Sequence, residues 1–69
     1  MRKKRNLFNE KEIKILKMIA AGYSSTEIGA EFSLTVGTID NYVKAMLIKL
    51  NAANRTNLAC ECIRRGIIS

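Results

Sequence analysis

Histidine, proline and tryptophan are missing from this 69-residue chain, and phenylalanine and tyrosine together make up only 6% of it. Without histidine the commonest general base is gone, and no nucleophile with a positioned partner replaces it. A catalytic cleft would also consume most of so short a chain, which buries only about 60% of the surface its unfolded form exposes. The sequence is therefore read as a non-enzyme that needs no cofactor and no small-molecule ligand. The scarcity of aromatics leaves no stacking platform for single-stranded nucleic acid. No apolar run approaches the roughly 20 residues that span a bilayer, and the basic start has no apolar stretch behind it of the kind an export signal carries. No membrane is expected as a partner.

Cysteine is scarce too. Cys60 and Cys62 lie two residues apart, a spacing that turns them about 200° from each other on a helix and defeats both a disulfide and shared metal ligation. With no histidine to complete a ligand set, no metal site is expected. Both are read as buried, reduced thiols of a cytoplasmic protein.

What is present favours helix. Ile, Leu, Ala, Lys and Glu dominate, and with 48% apolar and 26% charged residues the composition is that of a folded domain rather than a disordered tail. The net charge of +6 points to a polyanionic partner. Four of the twelve basic residues are Arg2, Lys3, Lys4 and Arg5, which leaves the rest of the chain with eight basic against six acidic residues. The body is only mildly basic, so the placement of its charges carries more meaning than their number.

Periodicity and capping signals divide the chain into four helices over residues 9–21, 25–32, 36–50 and 55–65. Residues 1–7 lack periodicity and are read as a basic arm, disordered in isolation, with residues 8–69 as the folded domain. Asn9 with Glu12, and Ser24 with Glu27, form two capping boxes. In the first helix Ile13, Leu16, Ile19 and Ala20 share one face, while Lys11, Lys14 and Lys17 form a solvated one. Gly22, Asn51 and Gly66 suit the left-handed positions that end helices. A short helix, a tight turn through Ser33 and Leu34, the cap Thr35 and a longer helix make a helix-turn-helix unit, whose second helix is able to enter the major groove of DNA.

At about 100° per residue, Val36, Ile39, Val43, Met46, Leu47 and Leu50 face one side of the third helix. Gly37, Asn41, Lys44, Ala45 and Ile48 face the other. Asn41 suits bidentate pairing with adenine, and Lys44 suits guanine acceptors or a phosphate. Thr38, Tyr42 and Lys49 cluster on one shoulder, within reach of a phosphate strand, and Asp40 lies on the opposite shoulder. Arg2, Lys3, Lys4 and Arg5 are candidates for a groove-tracking arm. On the fourth helix Leu58, Ala59, Cys62 and Ile63 carry more apolar surface than one-sided packing of a short helix needs.

From Phe8 to about Ile67 the chain resembles the LuxR/FixJ-type (GerE-like) helix-turn-helix domains of bacterial transcription regulators. Phe8-Asn9-Glu10-Lys11-Glu12 stands where that family has Leu-Thr-x-Arg-Glu, followed by Ile15-Leu16 and Ala20-x-Gly22. Ser24-Ser25-Thr26-Glu27-Ile28-Gly29 matches the opening of the second helix, and Thr35-x-x-Thr38-Ile39 the Ser-x-x-Thr-Val of the third. Lys49-Leu50, Arg55-Thr56 and Gly66-Ile67 match later landmarks. The resemblance implies an all-α, four-helix fold, sequence-specific binding of double-stranded DNA, transcriptional regulation, a homodimer through the fourth helix at Ala59, Cys62 and Ile63, and RNA polymerase as a further partner. By position it implies base contacts at Asp40, Asn41 and Lys44 and backbone contacts at Thr35, Thr38, Tyr42 and Lys49. Four residues depart from the pattern: Asp40 stands at a usually basic site, Tyr42 at one usually histidine, Ile48 at one often polar and Asn51 at one usually glycine. Asp40 would repel phosphate there, so either it accepts from a cytosine amino group or affinity is lower. The start at Met1 suggests a short stand-alone chain, although a domain of a longer regulator would look the same. A sigma-factor-like DNA-binding region and a protein interaction module presenting the fourth helix are the alternative readings.

Overall fold

The computed structural model describes residues 8–68. Among the described residues there are four helices: α1 Glu10–Ala20, α2 Ser25–Phe32, α3 Val36–Leu50 and α4 Arg55–Arg64. The arm expected at residues 1–7 lies outside the described residues. Both capping boxes form. The Asn9 side chain accepts from the Glu12 N–H at 2.8 Å while Glu12 Oε1 accepts from the Asn9 N–H at 2.9 Å, and Ser24 and Glu27 exchange the same pair of bonds at 3.2 and 2.8 Å. Each box satisfies two of the backbone donors that a helix start leaves without intrahelical partners.

The turn between α2 and α3 fixes the angle at which α3 is presented. Ser33 takes a left-handed conformation with φ 58°, and the Leu34 N–H folds back onto the Gly29 carbonyl at 2.8 Å. A Cβ on Gly29 would sit 2.6 Å from the Leu34 carbonyl oxygen. The close return of the chain therefore requires a residue without a side chain at this position. Asn51 repeats the left-handed ending after α3 with φ 54°.

α1 packs on α4, α2 on α3, and α3 on α4. The core between them contains Ile15, Leu16 and Ile19 of α1, Ile28 of α2, Ile39, Val43, Met46 and Leu50 of α3, and Leu58 and Cys62 of α4, closed by Phe8 and Ile68 at the ends. Three expectations need correction. Ala20 is exposed and Ile13 only half-buried, whereas Ile15 is fully buried; the buried stripe of α1 is centred differently because α4 covers it. Val36, expected on the core face of α3, is 42% exposed in its first turn. The two thiols also part company: Cys62 is buried but Cys60 is exposed.

Candidate nucleic-acid interface

The exposed face of α3 is set by its cap and by its buried face. Thr35 Oγ1 accepts from the Thr38 N–H at 3.1 Å and lies 3.0 Å from Thr38 Oγ1. The two threonines expected at the DNA backbone are thus locked together at the start of the helix. Ile39, Val43, Met46 and Leu50 anchor the opposite side in the core. Asn41, Lys44, Ala45 and Ile48 consequently stand exposed, with Ile48 at 76% the most exposed large apolar residue among the described residues. Among the described residues, neither Asn41 nor Lys44 is tied to another side chain by a hydrogen bond or ion pair. Such a face offers a bidentate amide, a cation and apolar groups, the kinds of group that pair with base edges.

Gly37 adds an observation about approach. Among the described residues a Cβ built there meets only Thr35 Oγ1, at 3.9 Å, so no contact with them requires a glycine. Within a helix Gly costs roughly 0.5–1 kcal/mol relative to Ala, and the first turn of α3 is left bare of side chain at that point.

The first shoulder of α3 gathers more positive charge than its own residues supply. Lys11 of α1, expected on a merely solvated face, places Nζ 5.8 Å from the centre of the half-buried Tyr42 ring. Lys49 Nζ lies 5.0 Å from the Phe8 ring. Both ammonium groups lie within the roughly 6 Å at which an aromatic face attracts a cation. Glu12, Thr38, Asn41, Tyr42 and Ala45 line a shallow open hollow between them. Lys11 was missed by reading α3 alone, because it comes from a helix about 30 residues earlier in the chain.

The other shoulder holds a polar chain that joins three helices. Arg55 Nη1 in the first turn of α4 donates to Ser25 Oγ at 2.7 Å, and Ser25 Oγ donates to Asp40 Oδ1 at 2.7 Å. Arg55 Nη1 lies 4.0 Å from the same carboxylate oxygen, and Nη2 reaches the Tyr23 carbonyl at 3.5 Å. Asp40, expected to repel phosphate, therefore has a cation beside it.

On α4, Ile63 is 51% exposed and Ala59 half-buried. Cys62, expected to share an interface with them, is fully buried in the core cluster. Burial also raises the thiol's pKa above its ordinary value, since an apolar surrounding disfavours the thiolate. At the end of α4, Glu61 accepts from Arg64 at 2.6 and 2.8 Å and from Arg65 at 3.1 Å. These hydrogen bonds, Arg64's first, hold its carboxyl below the usual carboxylate range. No helix among the described residues is long and apolar enough to cross a membrane.

Comparison with known proteins agrees with this geometry. Residues 6–62 match the family of bacterial regulatory proteins designated luxR, with GerE as its model. The chain is 36% identical over 61 residues to the regulatory protein SdiA of Escherichia coli, covering 88% of this chain and 25% of SdiA. It is 35% identical over 68 residues to the transcriptional regulatory protein YvfU of Bacillus subtilis, covering 99% of this chain and 34% of YvfU. With the response regulator protein VraR of Staphylococcus aureus the identity is 32% over 71 residues, covering 99% of this chain and 34% of VraR. The chain thus spans between a quarter and about a third of the length of these curated relatives. Its four capped helices and the match along most of its length place it in the luxR family of bacterial regulatory proteins.

Proposed function

We propose that this chain binds double-stranded DNA with sequence preference and regulates transcription, with α3 in the major groove. The observation that carries the reading is the uncommitted outer face of α3, where Asn41 and Lys44 stand exposed beside Ala45 and Ile48 on a helix held by a tight turn. Asp40, Asn41 and Lys44 read bases. Thr35, Thr38, Tyr42 and Lys49 face the phosphate strand, and Arg2, Lys3, Lys4 and Arg5 extend the cationic track ahead of the domain. The descriptions of YvfU as a transcriptional regulatory protein and VraR as a response regulator support the regulatory role. Its setting is the bacterial cytoplasm, with RNA polymerase as a further partner of a regulator of transcription.

One recognition helix gives few base contacts against a genome of competing sites, and pairing two domains remedies this. The exposed Ile63, with Ala59 beside it, makes α4 the joint of a two-fold dimer on an inverted repeat with half-sites about one helical turn apart. Titrating a labelled duplex with the protein at increasing salt tests the reading. Duplex binding predicts that affinity falls linearly with salt on logarithmic axes, with a slope of about −0.9 per phosphate contacted. Little binding at any salt would favour a protein interaction module instead.

A further inference from the structure

We infer that Asp40 is a cytosine-selecting acceptor, held in position by Ser25 and Arg55. The inference rests on the duplex-binding reading and goes beyond it by naming the base and the residues that orient its reader. A carboxylate on a DNA-facing helix is ordinarily a liability, because it repels phosphate and the acceptor edges of guanine and thymine. Here the liability is managed. Asp40 is not left as an isolated anion, since Arg55 lies 4.0 Å away and is joined to it through the Ser25 hydroxyl by two bonds of 2.7 Å.

The direction of the chain is fixed by chemistry. A guanidinium only donates, so the Ser25 oxygen accepts from Arg55; a carboxylate only accepts, so the Ser25 proton goes to Asp40. Donation to the serine oxygen makes its proton a better donor, and the two bonds reinforce each other. The carboxylate is thereby held through Oδ1, while Oδ2 has no hydrogen bond among the described residues. The Asp40 side chain remains 57% exposed, one residue from Asn41 and one helical turn from Lys44.

An acceptor held at this place selects among base edges. Guanine presents N7 and O6 and thymine presents O4, all acceptors that repel it. Adenine offers its N6 amino group beside the N7 acceptor, whereas cytosine offers an N4 donor with no acceptor of its own. Cytosine is the base that fits. Ser25 and Arg55 do not touch DNA in this arrangement; they are positioning residues that join the recognition helix to α2 and α4.

The test uses the full chain and a duplex selected by it from a randomised pool, followed by all single base-pair substitutions of that duplex. The wild type is expected to prefer cytosine at one position of each half-site by at least about fivefold, the lower end for a good base-edge contact. Asp40→Asn, which can also donate, should erase the preference at that position alone. Ser25→Ala and Arg55→Gln should each lower it to within about twofold of no preference, and Ser25→Thr, which keeps the hydroxyl, should restore it. Circular dichroism of each variant checks that the helices survive. An Asp40→Asn protein that keeps the preference would overturn the role of the carboxylate, and full preference in Ser25→Ala would overturn the positioning chain. If the wild type shows no salt-dependent binding to any duplex, the duplex-binding reading fails first and this inference falls with it.

Discussion

Gly37 presents a conflict between stability and function at a single residue. A Cβ there would have open space around it, meeting only Thr35 Oγ1 at 3.9 Å, and alanine is the better helix former. Gly37→Ala should therefore stabilise the free protein by about 0.5–1 kcal/mol. If α3 lies in the groove, the same change should weaken duplex binding, because a methyl group stands where the DNA approaches. Thermal denaturation and duplex titration of one variant measure both effects, and a variant that is stabilised with unaltered binding would show that this turn stays clear of DNA. Lys49 makes a different prediction. A phosphate contact carries no sequence information, so Lys49→Ala should weaken all duplexes similarly and flatten the salt slope by about one unit. An unchanged slope would remove Lys49 from the contacts. Asp40 shows what was hidden at this scale: its partners Ser25 and Arg55 each lie 15 residues away along the chain, on opposite sides, and nothing local marks them as neighbours.

The helices were legible because their ends are encoded locally. Asn9 with Glu12 and Ser24 with Glu27 form the bonds their spacing foretells, and Thr35, Asn51 and Asn54 act as caps where their side-chain chemistry suits them. The outward face of α3 was legible for the same reason, since a regular helix converts sequence number directly into direction. The turn between α2 and α3 was only half legible. Ser33 and Leu34 were recognised as its residues, but the left-handed backbone falls on Ser33, and the chain closes against Gly29 four residues earlier. No local rule selects serine for that conformation; the bond from Leu34 to the Gly29 carbonyl imposes it. Gly29→Val should consequently destabilise the fold by about 1–3 kcal/mol, as overpacking against backbone does. Chemical denaturation would measure the loss, and an undiminished midpoint would show that the turn can open without cost. The burial of Ile15 and the exposure of Ala20 were not legible either, because which side of α1 is covered depends on where α4 docks.

At the scale of the whole molecule, charge and apolar surface occupy different places. The exposed face of α3 and its lysine shoulder lie on α3 and α1, while the exposed Ile63 lies on α4, beside a core that has already taken Cys62. Under the proposed function, that separation would leave α4 available to a second copy while α3 meets DNA. Sedimentation with a palindromic duplex should give a two-to-one complex, and Ile63→Glu should reduce it to one-to-one at the same protein concentration. Two-to-one binding by that variant would move the joint elsewhere, and a strict one-to-one complex for the wild type would eliminate the dimer.

The central claim is that the exposed face of α3 reads base edges, and the affinity ratio between a selected duplex and a random one tests it most directly. The account predicts that Asn41→Ala lowers that ratio by the equivalent of about 1–3 kcal/mol, with the loss concentrated at one base pair of the half-site. Equal weakening on selected and random duplexes would contradict it, since Asn41 would then contribute to attachment without reading sequence.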